Sequence, residues 1–136
     1  MTYLVREVHA HDMTWLTCGY TNESRVVPNF LSWFREWVDA ASEHEVFLGL
    51  DVEFTPNHQG VAVIQPCFKH HVLIFQWASS DKKCPKLMDF LRSGIRFTSV
   101  DITNDMTNMR RNFGIEIPAA CHIDLQGLFQ LDYLRT

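Results

Sequence analysis

The polar and apolar positions change period several times along the chain. Tyr3–Val8 alternates, and Met13–Tyr20 is rich in Thr and aromatic residues. Both segments predict strands, and Thr21-Asn22-Glu23-Ser24 closes the second with a turn. From there Val27, Phe30, Leu31, Phe34, Val38 and Ala41 recur at three- and four-residue steps, one apolar stripe of an amphipathic helix. Pro28 suits its first turn, where a missing N–H costs nothing. Val46–Phe54 is apolar until Asp51 and Glu53, the pattern of a buried strand whose last residues turn polar. Thr55–Gly60 is a polar turn. Val61–Gln65 and Val72–Trp77 are two more strands, joined around Phe68-Lys69-His70, so three successive strands predict an antiparallel meander. Pro66 has no N–H for a ladder and is expected at a strand end or a bulge.

The second half alternates helix and strand. Pro85–Leu91 reads as a short helix stopped near Gly94, and Phe97–Val100 as a short strand. Ile102, Met106, Met109 and Phe113 mark another helix, with Thr103 as its expected N-cap and Gly114 after its end. Cys121–Leu134 carries a helical pattern. The sum is one α/β domain over residues 1–136, a mixed sheet of meander and parallel strands flanked by helices.

Two positions in this layout carry candidate chemistry. Asp51 and Glu53 are two apart on a strand, so their side chains share a face with Cα atoms about 6.5–7 Å apart, given a rise of ~3.3 Å per residue. Two carboxylates so placed repel, and a divalent cation relieves that repulsion. Hard oxygen donors favour Mg²⁺ or Mn²⁺ over zinc. The plainer reading is two acids at the solvent end of a strand. Asp105 opens the helix after Phe97–Val100. If that strand lies beside Val46–Phe54, Asp105 comes near the other two acids. Its plainer reading is an acid favoured by the helix dipole.

Composition narrows the function classes. With 46% hydrophobic and 21% charged residues the chain is ordinary for a globular domain. Its apolar runs are strand-sized, far short of the ~20 residues that span a bilayer, so no membrane association is expected. The N-terminus carries Arg6, Glu7, His9, His11 and Asp12 and does not read as a signal peptide, which favours an intracellular location, nuclear or cytoplasmic. Four scattered cysteines (Cys18, Cys67, Cys84, Cys121) lack metal spacing and are expected as reduced thiols. The seven histidines form no ligand motif and read as structural or surface residues. A net charge of −4 argues against binding dominated by phosphate neutralisation, although Lys82-Lys83-Lys86 and Arg110-Arg111 are local basic clusters.

The motifs in order resemble the DnaQ-like, or DEDD, 3′–5′ exonucleases, which have a ribonuclease-H-like fold, and most closely the Werner-syndrome-like exonucleases of plants. The carriers are Leu48-Gly49-Leu50-Asp51-Val52-Glu53-Phe54, Val61-Ala62-Val63-Ile64-Gln65, Val72-Leu73-Ile74-Phe75-Gln76 and the run from Phe97 to Asp105, then Met109, Phe113-Gly114-Ile115 and Ile123-Asp124-Leu125. The resemblance implies that Asp51 bridges two Mg²⁺ or Mn²⁺ ions. It implies that Glu53 helps hold the ion that activates water, that Asp105 ligates the second ion, and that Asp124 is structural. The substrate it implies is single-stranded or 3′-overhanging nucleic acid. It also implies a third motif, Tyr or His followed four residues later by Asp, and no such pair follows Asp105 in the 136 residues. The expectation is therefore a domain truncated at its C-terminus, with phosphodiester hydrolysis weakened or lost. Asp101, where the family commonly has glycine, is a candidate substitute carboxylate. The alternative is a catalytically inactive binding or regulatory module. In either case the surface left by an absent C-terminal helix is expected to recruit a protein partner or a second copy.

Overall fold

The computed structural model describes residues 3–10, 14–41, 47–56, 60–100 and 102–125. Chain order runs β1 (Tyr3–Ala10), β2 (Thr14–Thr21), α1 (Val27–Ala40), β3 (Leu48–Phe54), β4 (Val61–Phe68), β5 (His71–Phe75), α2 (Pro85–Leu91), β6 (Phe97–Ser99), α3 (Ile102–Phe113) and β7 (His122–Asp124). The strands form one sheet in the order β1-β2-β5-β4-β3-β6-β7. β1 runs antiparallel to β2, and β4 antiparallel to both β3 and β5; the β2–β5, β3–β6 and β6–β7 pairs are parallel. This is the mixed sheet that the periodicity predicts, with its meander intact.

Each helix links two parallel strands and advances in the same direction across the sheet. Right-handed crossovers therefore put α1, α2 and α3 on one face. Val27, Phe30, Leu31 and Phe34 form the buried stripe of α1, and Leu87, Phe90 and Leu91 that of α2. The two helices meet where the Phe34 and Phe90 rings lie 6.3 Å apart, and Phe90 in turn packs edge-on against Phe97 of β6. Beneath them lie Leu48, Leu50, Val52, Ile64, Leu73 and Phe75, all buried in one continuous core. Gly19 makes the docking of α1 possible, because any Cβ there would overlap the Phe30 ring. Gly114, at φ +65°, ends α3 in the left-handed region and returns its N–H to the Arg110 carbonyl.

The opposite face is different. Leu16, Tyr20, Val63, Gln65, Cys67, Val72 and Ile74 remain half-buried there, and Asp51 and Glu53 are exposed. Among the described residues it is a largely uncovered sheet surface.

Several expectations change. β4 runs through Pro66 to Phe68, and the register shift falls at Glu53/Phe54 instead. The strand tolerates proline because the β4–β5 ladder pairs Ile64 with Phe75 and Cys67 with Val72, skipping Gln65 and Pro66. Trp77 leaves β5 for a 3₁₀ turn, where its ring packs edge-on against Phe113 of α3. Thr103 lies inside α3, which begins at Ile102, so it is no cap. The helix expected over Cys121–Leu134 is replaced at His122–Asp124 by a strand paired to β6; residues 126–136 lie outside the described residues. No described helix is long and apolar enough to cross a membrane.

Candidate functional site

β3 is flanked by β4 and β6, but its two partnerships differ in length. With β4 it pairs from Gly49 to Phe54; with β6 it pairs only at Leu48 and Gly49. Past that point the ladder to β6 ends, the last link on that side being the Ser99 hydroxyl on the Leu50 carbonyl, and β3 runs on paired to β4 alone. A crevice at the carboxyl end of parallel strands is where open α/β sheets commonly bind ligands. Asp51 and Glu53 sit on this margin, opposite Gln65 and Val63 of β4, with Leu50 and Val52 buried on the reverse face.

The two carboxylates interact directly. Glu53 is held above the usual carboxylate range, first by its hydrogen bond with Asp51, then by the Asp51 charge and slight burial. Two acids so close also form two hard-oxygen donors for a cation. Mg²⁺, which keeps much of its water shell and is commonly held by one or two carboxylates, suits such a pair. Asp105 lies in the first turn of α3, as its sequence position predicts, but it is buried whereas the other two acids are exposed. Among the described residues no three His, Cys, Asp or Glu side chains gather into a metal-holding group. The structure thus joins Asp51 to Glu53 and does not join Asp105 to them in a ready cage. Asp101 lies outside the described residues.

A polar relay under the site escapes sequence reasoning. The buried Ser99 hydroxyl donates to the Leu50 carbonyl at 2.8 Å and lies 2.9 Å from Nε2 of buried His122. Having given its only hydrogen to the carbonyl, Ser99 must accept from His122, which fixes the Nε2–H tautomer. Burial lowers the His122 pKa, with Asp124 opposing it weakly, in keeping with a neutral ring. The relay ties β7 and β6 to the peptide that carries Asp51. Ser99 and His122 are 23 residues apart on three-residue strands, and no local pattern announces them.

Elsewhere the basic clusters offer little continuous positive surface. Arg110 holds Glu116 at 2.6 Å, and Lys82 and Lys83 adjoin Asp81, whose carboxyl accepts the Lys83 N–H. All four cysteines are free thiols.

The architecture is that of solved exonuclease domains. The EXD2 exonuclease domain soaked in Mn and Mg superposes with a TM-score of 0.71 at 15% identity, covering 86% of this chain and 60% of that one. The same domain soaked in Mg and GMP gives 0.67 at 17% identity, covering 82% and 57%, and soaked in Mg and dGMP 0.68 at 18%, covering 84% and 58%. At these identities the likeness is one of fold, a ribonuclease-H-like nuclease fold. This chain spans about three-fifths of the length of the solved domains it matches. No protein-family model and no curated protein sequence matches it.

Proposed function

We propose that this chain is a metal-dependent 3′–5′ exonuclease-type domain acting on single-stranded or 3′-overhanging nucleic acid. The observation that carries the reading is the Asp51–Glu53 pair on the end of β3 that is paired to β4 and not to β6, in a sheet with the exonuclease-domain fold. Mg²⁺ or Mn²⁺ bound there supplies Lewis acidity toward a phosphodiester. The chain contributes the rest. Asp51 and Glu53 hold the ion by two carboxylate oxygens, and the uncovered face beside them gives a strand end room to approach. Asp105 is the third ligand by sequence resemblance, and it joins the pair only if the start of α3 turns its buried carboxylate toward β3. The EXD2 structures soaked with Mg or Mn and with GMP or dGMP support the choice of cation and of nucleotide chemistry. A closer kinship, with Werner-like enzymes of plants, rests on the ordered motifs between Leu48 and Leu125.

A second reading, a catalytically inactive binding module on the same fold, is favoured by the burial of Asp105 and by the absence of a three-acid group among the described residues. One assay separates the two. Labelled single-stranded DNA and RNA are incubated with the protein and Mn²⁺, beside an Asp51→Ala/Glu53→Ala control. Stepwise shortening that the control lacks supports the enzyme. Intact substrate, together with a melting temperature that Mn²⁺ leaves unchanged, supports the inert module.

A further inference from the structure

The uncovered face has a charge pattern of its own. Val5 lines the groove beside α1, so strand alternation places Arg6 on the opposite, uncovered side of β1. Arg6 heads a continuous cross-sheet row: it pairs with Cys18, Cys18 with Val72, Val72 with Cys67 and Cys67 with Gly49. One residue pair further along lies the row that ends at Asp51, running from Leu4 through Tyr20 and Ile74. Among the described strand residues, Arg6 is the single cation on this face and Asp51 and Glu53 are its only anions. Everything between them is uncharged and mostly apolar. The cation stands on β1 and the anions on β3, four strand spacings or about 19 Å apart.

A surface with one charge at each end and an apolar middle is complementary to itself. We infer that this face packs against the same face of a second copy, in a twofold dimer whose axis runs along the strands over β5. That rotation reverses the strand order, so β1 of each copy lies over β3 of its partner. The row of Arg6 then faces the row of Gly49, and Asp51 is one residue pair, about 7 Å, further along β3, within reach of an arginine side chain. Aligned sheets pack about 10 Å apart, a spacing filled here by Tyr20, Val63, Val72 and Ile74. Because the interface is isologous, the Arg6 contact with the acidic pair forms twice.

The dimer covers the face and occupies the carboxylates that the nuclease reading leaves to nucleic acid and cation, so it is a closed form with respect to that reading; it needs no cation itself and is tested without one. Sedimentation velocity of the 136-residue chain in EDTA, up to about 100 µM, is expected to show a monomer–dimer equilibrium. Arg6→Glu is expected to weaken it about tenfold or more, the scale of a lost interfacial charge contact, as is Asp51→Lys/Glu53→Lys. All three positions are exposed, and circular dichroism checks that each variant keeps its fold. Combining Arg6→Glu with Asp51→Lys/Glu53→Lys is expected to restore association close to the parent value. A folded parent that stays monomeric throughout overturns the proposal. So does association that ignores the single charge reversals, or a combined variant that stays as weak as they are.

Discussion

Ser99→Ala tests the relay beneath the acidic pair with little change of volume. Removing the hydroxyl leaves the His122 Nε2–H without its acceptor and takes one donor from the Leu50 carbonyl. His122 already has a buried Nδ1 without a partner, so its ring would lose its remaining bond. A buried polar group stripped of its partner costs about 1–3 kcal/mol, and no cavity is created to add to it. With the carbonyl counted at the low end, the loss is about 2–4 kcal/mol. For a chain of this size that is a fall in Tm of roughly 6–20 °C. Urea denaturation should show a lower midpoint with an unchanged slope, the mark of lost stability rather than a changed denatured state. Ser99→Ala/His122→Leu should recover part of the deficit, because removing both partners is cheaper than stranding one. A loss below about 0.5 kcal/mol, the range of ordinary surface substitutions, would refute the relay.

Two other outcomes follow from the fold. Burial depresses the pKa of His122, and burial together with His70 depresses that of His71, so as pH falls below about 6.5 the unfolded chain takes up protons that the folded chain refuses. Stability should therefore be present above the ordinary histidine pKa and decline as pH falls through it. Glu53, with its pKa raised, acts in the opposite direction, so the diagnostic is the shallower slope of His122→Gln, which keeps a donor for Ser99. Equal slopes in the two proteins would show that His122 does not titrate as described. Gly19→Ala should cost about 1–3 kcal/mol by forcing the Phe30 ring off the sheet; a melting curve matching the parent would mean that α1 docks differently.

How much of this was legible in the sequence depends on the range of the interaction. The stripe from Val27 to Phe34 and the alternation in β1 are local signals, and both led to correct elements. The adjacency of β6 to β3, a condition that the sequence left open, is met in the sheet, and Asp105 falls in the first turn of α3 as its position required. What failed was short or dependent on partners. A three-residue strand such as His122–Asp124 cannot display a period of two, so an apolar stretch around it read as helix. Pro66 looked like a terminator because the sequence does not reveal that the β4–β5 ladder skips its position. The Asp51–Glu53 contact was readable because both acids share one strand. The burial of Asp105 depends on how a helix from elsewhere in the chain seats itself, and spacing carries no record of that.

The sheet order also shapes how the chain folds. β2 lies beside β5 in parallel, with Thr17 paired to His71 and the whole of α1, β3 and β4 between them along the chain. The N-terminal hairpin therefore cannot grow the sheet outward from its own end. β3, β4 and β5 are joined by short connections and can zip together cheaply, whereas closing the long loop back to β2 costs entropy before any contact repays it. On that account the hairpin is expected to dock late on a nearly finished core, leaving the β2–β5 seam the last to close.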